Sequence, residues 1–339
     1  MDVHRSDALV RRATDATSWR GALRALAAGM VLTRIGPVSL RAQEATPGVV
    51  DGDWAAVEAL AHDAEATGGV VGVAVHGAEG ELFSHNGDRR FRAASTIKVP
   101  IMIEAYRQID RGALTLDDPS SLRDEDRIPG SGVLSHLHAG LELTLADLLF
   151  LMIAVSDNTA TNLVLDRTGL EAVNATMQSL GMTKSVLGRR ILGHLPKPGD
   201  PENWATPRDF ARAIRAIVAN EAAAPESCAQ MLTTLEQQGE IRRISRFVPA
   251  EPDIRWGTKP GDLPGVINDV GFVGSDRGTL SLAVFCENLP GLDAVEQTIG
   301  LIAREALAVT GIVSLEGEGS AQGDSAHLNT DPIRVDSAW

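Results

Sequence analysis

Strand-forming stretches stand at both ends of the foldable part of this chain, with helix-forming stretches between them. Near the front, "GVVGVAVHG" reads as a buried strand and "GELFSHNGD" as its hairpin partner, turned by Gly77 to Gly80. Near the back, "DIRWGTKPG", "VINDVGFVG" and "GTLSLAVFCEN" are three strand candidates joined by short turns. Apolar residues at helical spacing precede the first strand in "DWAAVEALAHDAEAT" and follow the last in "GLDAVEQTIGLIAREALAVTG". Sequential strands pair most simply with their neighbours. The expected fold is therefore α+β: one five-stranded antiparallel sheet flanked by the two terminal helices, with an inserted all-helical lobe.

The implied organisation is a catalytic domain over 50–313, with an α/β lobe of about 50–92 and 208–313 and a helical lobe of about 93–207. A cleft between the lobes is the expected pocket. Residues 188 to 207, "GRRILGHLPKPGDPENWATP", form a long Pro/Gly-rich loop, a length that usually carries function. After it, Thr206 and Pro207 fit the cap and first position of a new helix. Residues 314–339 are polar and aperiodic and read as a disordered tail. In residues 1–49, Arg11 and Arg12 precede a short apolar stretch, Ala25 to Leu32, and a small-residue exit at Leu40-Arg41-Ala42. That order reads as an export signal of twin-arginine type or, because Arg34 interrupts the apolar stretch, a disordered basic leader. No segment reaches the roughly 18 continuous apolar residues of a membrane span.

A net charge of −14 disfavours nucleic-acid or anionic-membrane partners, which need a basic surface. Small-molecule or cell-wall peptide substrates fit better, and a monomer is expected. The two cysteines, Cys228 and Cys286, are too few for a disulfide framework and lack metal-ligand spacing, though they could pair. His136 and His138 are read as surface residues, not ligands. His194, on the long loop, is a weak candidate for substrate contact.

Lysine use is more informative. The chain has 27 arginines and four lysines, and one lysine sits in "ASTIKVP", three residues after Ser95. Arginine stays protonated, whereas a desolvated lysine can lose its proton and act as a base. If a helix begins near Ser95, Lys98 lies one turn away on the same face, so its amine can hydrogen-bond the Ser95 hydroxyl. Val99, Ile101, Met102 and Ile103 imply that this helix is buried, which favours a neutral amine. The helix start also supplies N–H groups for an oxyanion. Taken alone, a capping serine and a snorkelling lysine would explain the pair equally well. Ser156-Asp157-Asn158 follows the apolar run Leu148 to Val155, where a polar triplet faces a pocket or breaks the helix. Lys259-Pro260-Gly261 ends a strand candidate, with a glycine that permits close backbone approach.

Together the three stretches resemble the Ser-x-x-Lys, Ser-Asp-Asn and Lys-Thr-Gly set of class A β-lactamases and penicillin-binding proteins. Ser95, Ser156 and Lys259 follow in order, 61 and 103 residues apart. "GSGVLSHL", "LTLADLLFLMIAVSDNTATNLVLD", "TPRDFARAI" and "LPGVINDVGFV" carry the likeness over about residues 50 to 313. The resemblance implies a serine hydrolase that opens β-lactam amides without a cofactor or metal. Ser95 would form the acyl-enzyme and Lys98 take its proton. Ser156 would pass a proton to the leaving nitrogen, Asn158 would hold Lys98 and the substrate amide, and Lys259 would attract the substrate carboxylate. The backbone N–H groups of Ser95 and Asp262 would form the oxyanion hole, with Lys259, Gly261 and Asp262 binding substrate.

The sequence departs from that pattern in three places. The long loop lacks the Glu-x-x-Leu-Asn segment whose glutamate primes the deacylating water. Its acids, Asp200 and Glu202, are expected to pair with Arg189 or Arg190 across the loop's neck, with Glu202 the remaining candidate water activator. Pro260 replaces a hydroxyl residue and offers neither O–H nor N–H. Asp262 places a charge expected to cancel Lys259 in part. Losing a charge-assisted hydrogen bond costs about 1.5–3 kcal/mol. Three readings follow: a β-lactamase with another water activator, a penicillin-binding-protein-like DD-peptidase or esterase that deacylates slowly, and an inactive cell-wall-fragment binder.

Overall fold

The computed structural model describes residues 52–313. The leader assigned to 1–49 and the tail assigned to 314–339 lie outside them. Helix α1 (Ala55–Glu65) leads into the hairpin β1 (Val70–Gly77) and β2 (Gly80–His85). Strand β3 (Phe91–Arg92), a 3-10 turn (Ala94–Ile97) and helix α2 (Lys98–Asp110) follow. Then come β4 (Pro119–Ser121), β5 (Glu142–Thr144), α3 (Leu145–Ala154), α4 (Asn158–Thr168), α5 (Leu170–Ser179) and β6 (Trp204–Ala205). Helices α6 (Pro207–Val218) and α7 (Pro225–Glu236), strands β7 (Arg255–Leu263), β8 (Val266–Ser275) and β9 (Gly278–Glu287), and helix α8 (Leu292–Thr310) complete the order.

The main sheet is five-stranded and antiparallel, ordered β2-β1-β9-β8-β7, so the front hairpin and the three back strands join through β1 and β9. This is the expected architecture. Two short antiparallel pairs, β3 with β6 and β4 with β5, add to it within the helix-rich stretch. Thr206 caps α6 by accepting from Asp209 N, with Pro207 at the start, as the sequence predicts.

Strand alternation divides the core. Val71, Val73 and Val75 of β1 and Leu280, Leu282 and Val284 of β9 pack with Val57 and Ala61 of α1 and Ile299, Ile302 and Ala306 of α8. Ala74, Ala283 and Phe285 face the other way, into one continuous core with the inserted helices. There Phe285 meets Phe91 and Phe210, each with ring centroids 5.7 Å away. Truncating Phe210 to alanine would cost about 3–5 kcal/mol. The two cysteines are free and belong to different cores, Cys228 to the second and Cys286 to the first, so the open question of their pairing resolves to no bridge.

Candidate active site

The nucleophile candidate is held by its backbone. Asn268 Nδ2 donates to Arg92 O (2.9 Å) and Ala93 O (3.4 Å), fixing the chain that enters the 3-10 turn. A 3-10 turn repeats every three residues, so Ser95 stacks on the face of Lys98, the first residue of α2. Pro100 falls in the opening turn of α2, where N–H groups lack intrahelical partners. Strand β7 runs against this turn: a Cβ at Gly261 would lie 3.0 Å from both Ser95 N and Ala93 O. A side chain there would make the turn or the strand give by a few tenths of an ångström.

The polar triplet is both a helix break and a site. Helix α3 ends at Ala154 and α4 starts at Asn158. Asp157 caps α4 by accepting from Ala160 N (2.8 Å), and its other oxygen accepts from Val133 N (2.6 Å) and Leu134 N (2.8 Å). Ser156 adopts a left-handed backbone, φ 56°, unusual for a residue with a Cβ. With that conformation both its carbonyl and its hydroxyl reach Lys98.

Lys98 Nζ lies 2.6 Å from Ser156 O, 3.0 Å from Ser156 Oγ and 3.0 Å from Asn158 Oδ1. Lys259 Nζ approaches the same Ser156 Oγ at 3.1 Å and donates to Pro260 O (2.9 Å). Both lysines are fully buried. The expected direct Ser95–Lys98 hydrogen bond is absent from this arrangement. The amine is satisfied instead by Ser156 and Asn158, and Asn158 spends its own Nδ2 on Pro129 O (3.0 Å).

Burial holds Lys98 well below the usual lysine range, and the Lys259 charge adds to the effect against the opposing pull of Asp157. Lys98 donates to Ser156 O, Ser156 Oγ and Asn158 Oδ1, and Lys259 donates to the same Ser156 Oγ, so the hydroxyl lies between the two amines. Burial also lowers Lys259, to about 7, while Asp269 and Asp262 favour its charge and Arg243 disfavours it. Asp269 is pushed up to about 7 by its own burial, against Arg243, the Ile244 N–H and Lys259.

Ser95, Ser131, Asn158 and Asp262 line one cavity of about 370 Å³. Arg189, Ile191, Glu202 and His194, from the long loop, close its other side. Glu202 accepts from Arg189 (2.7 Å) and from Asn203 N (2.7 Å), which is the expected pairing. Asp200 departs from expectation. It accepts from Lys197 N (2.8 Å) in a local turn, while Arg190 reaches back to Asp166 on α4. The loop's neck is narrow, since a Cβ at Gly188 would lie 2.4 Å from Glu202 O. His194 Nδ1 turns to the adjacent Leu195 O (2.8 Å), and His138 Nδ1 to Ala139 O (3.0 Å).

Two contributors escaped the sequence reading. Asn162 of α4 grips the loop residue Ile191 from both sides, accepting from its N–H (3.0 Å) and donating to its carbonyl (2.9 Å). An apolar side chain is thereby fixed at the cavity wall. Arg243, only 2% exposed, pairs with Asp262 and with the buried Glu296, and donates to Asn268 O (3.0 Å). The Asp262 carboxylate is engaged by Arg243 and also acts on the Lys259 charge, so it is shared between the two cations. A buried arginine two strands' length before β7 carries no local signature, and only its partners identify it.

The Beta-lactamase enzyme family matches residues 54–310 of the chain. The chain belongs to this family. A crystal structure of a β-lactamase from Sphaerobacter thermophilus is 55% identical, with a TM-score of 0.75 over 77% of this chain and 99% of that one. An ancestral class A β-lactamase superposes with a TM-score of 0.68 at 28% identity, covering 74% of this chain and 98% of the other. β-Lactamase L2 of Stenotrophomonas maltophilia is 33% identical over 147 residues, 42% of this chain and 48% of that protein. The chain thus spans about half the length of that relative in alignment. The expected class A β-lactamase fold and family are both borne out. No helix among the described residues is long and apolar enough to cross a membrane.

Proposed function

We propose that this member of the β-lactamase family is a serine hydrolase that opens the β-lactam amide through an acyl-enzyme on Ser95. The observation that carries the reading is the convergence of Lys98 and Lys259 on Ser156 Oγ beside the Ser95 cavity. Ser95 Oγ attacks the ring carbonyl, its proton passing to the Lys98 amine. The C–N bond breaks, and the nitrogen takes a proton from the Ser156 hydroxyl, which Lys98 replenishes. The Ser95 and Asp262 N–H groups would hold the oxyanion, and a charged Lys259 would attract the substrate carboxylate. Water then cleaves the ester and returns the Ser95 proton. The reading includes export through the leader over 1–49 and action as a monomer.

A second reading concerns the last step. Glu202 is engaged by Arg189, and the residue clamped at the wall is Ile191, so the loop residues lining the cavity present no free carboxylate to prime water. This favours slow deacylation, as expected of a penicillin-binding-protein-like peptidase. Time-resolved intact mass with a penicillin tests both. An adduct of the whole penicillin on Ser95 that decays with product release supports β-lactamase turnover, and one that persists supports the peptidase-like reading. No adduct at all would sink both.

A further inference from the structure

One cluster of ligand-type side chains takes no part in the cavity. Helix α1 carries Glu58, His62 and Glu65 at spacings of four and three residues, hence on one face. That face lies against the end of β2, where His85 stands. The His62 and His85 rings meet edge to face, centroids 4.9 Å apart. Each of Glu58, His62 and His85 offers one ligand atom, and these atoms all lie within 4.8 Å of one another. His62 Nε2 is already 3.7 Å from Glu58 Oε1.

We propose that Glu58, His62 and His85 bind one zinc-class divalent cation, which ties α1 to the β1–β2 hairpin. Two imidazoles and a carboxylate are borderline-soft ligands of the kind zinc accepts, leaving a fourth position for water. Tetrahedral zinc with bonds of about 2.0–2.2 Å needs its ligand atoms about 3.4 Å apart. Closing the set takes movements of about 1 Å, within reach of the exposed Glu58 and His62 side chains. The set also has a built support. Glu65 Oε2 lies 3.2 Å from His85 Nε2 and 3.7 Å from His62 Nδ1. Glu65 Oε1 is fixed by Val71 N (3.0 Å) and Asn86 Nδ2 (2.9 Å). On His62 the Glu65 carboxylate faces Nδ1 while Nε2 faces Glu58, the outer-shell arrangement usual for a histidine metal ligand.

The test uses the full chain without a polyhistidine tag, titrated with Zn²⁺ against a chromophoric chelator. One equivalent should bind, with affinity about 10–100-fold weaker in Glu65→Gln and binding lost in the His62→Ala, His85→Ala double variant. No uptake below millimolar zinc, or undiminished uptake by the double variant, overturns the proposal. The metal-free melting temperature and penicillin reactivity of the variants report whether they fold. If they do not, the unaltered chain decides: Co²⁺ giving the visible absorption of a tetrahedral nitrogen–oxygen site supports the proposal, and its absence overturns it.

Discussion

The cavity's two walls differ in what their polar groups are free to do. On the wall built by α2, the Ser156 turn and β7, two buried amines share one hydroxyl, so protons can move without any side chain travelling far. On the loop wall, the carboxylate that could move a proton is paired with Arg189, and the clamped residue is apolar. The contrast teaches that making the acyl-enzyme and breaking it are built separately. A chain can carry the first fully while leaving the second weak.

The most direct way to break the contrast is to disable the first wall. Ser95→Ala should abolish the penicillin adduct, and Lys98→Ala should slow its formation by about 10²–10⁴-fold, read by stopped-flow acylation. A Lys98→Ala variant acylating at the full rate would remove the base from this wall. The pH profile comes next. Lys259 titrates at about 7 and is charged below that value, so capture of anionic penicillins should weaken as pH rises through it. Lys98 must be neutral, so the low-pH limb should rise as its lowered proton affinity is passed. The acylation constant should fall by up to about tenfold per pH unit on the alkaline side, and Lys259→Gln should flatten that limb.

Equipping the second wall sharpens the comparison. Ile191→Glu sets a carboxylate where Asn162 already holds the backbone, and should speed deacylation by about tenfold or more in the decay of the adduct. Unchanged decay would show that the wall lacks more than a base. Asp262→Asn should lower KM for anionic substrates by a few-fold, worth about 0.5–1 kcal/mol, because Arg243 loses one of its two carboxylates. The smallest effect is expected of Glu202→Gln, with deacylation within about twofold. A tenfold loss there would make Glu202 the water activator after all.

Much of this was legible in order along the chain. The hairpin, the three back strands, the Thr206-Pro207 helix start and the Ser95–Lys98 turn each depend on neighbours a few residues away. The Glu202–Arg189 pair was readable from loop length and charge. What escaped depends on distant partners. Arg243 reaches Asp262 and Glu296, 19 and 53 residues away, a second partner for Asp262 that reading it beside Lys259 alone does not reveal. Asp200 closes a local turn with Lys197 N, while Arg189 pairs with Glu202 and Arg190 with Asp166. The missing Ser95–Lys98 bond follows from the left-handed Ser156 turn, which delivers two acceptors to one amine.

The scarcity of lysine has a practical corollary. Two of the four lysines are sealed inside, while Lys184 and Lys197 stand exposed, the latter on the loop that borders the cavity. Amine-directed dyes should therefore spare the reactive pair and label these two side chains. A fluorophore at Lys197 would then report on substrate arrival in a protein whose sequence needed no engineering to accept it.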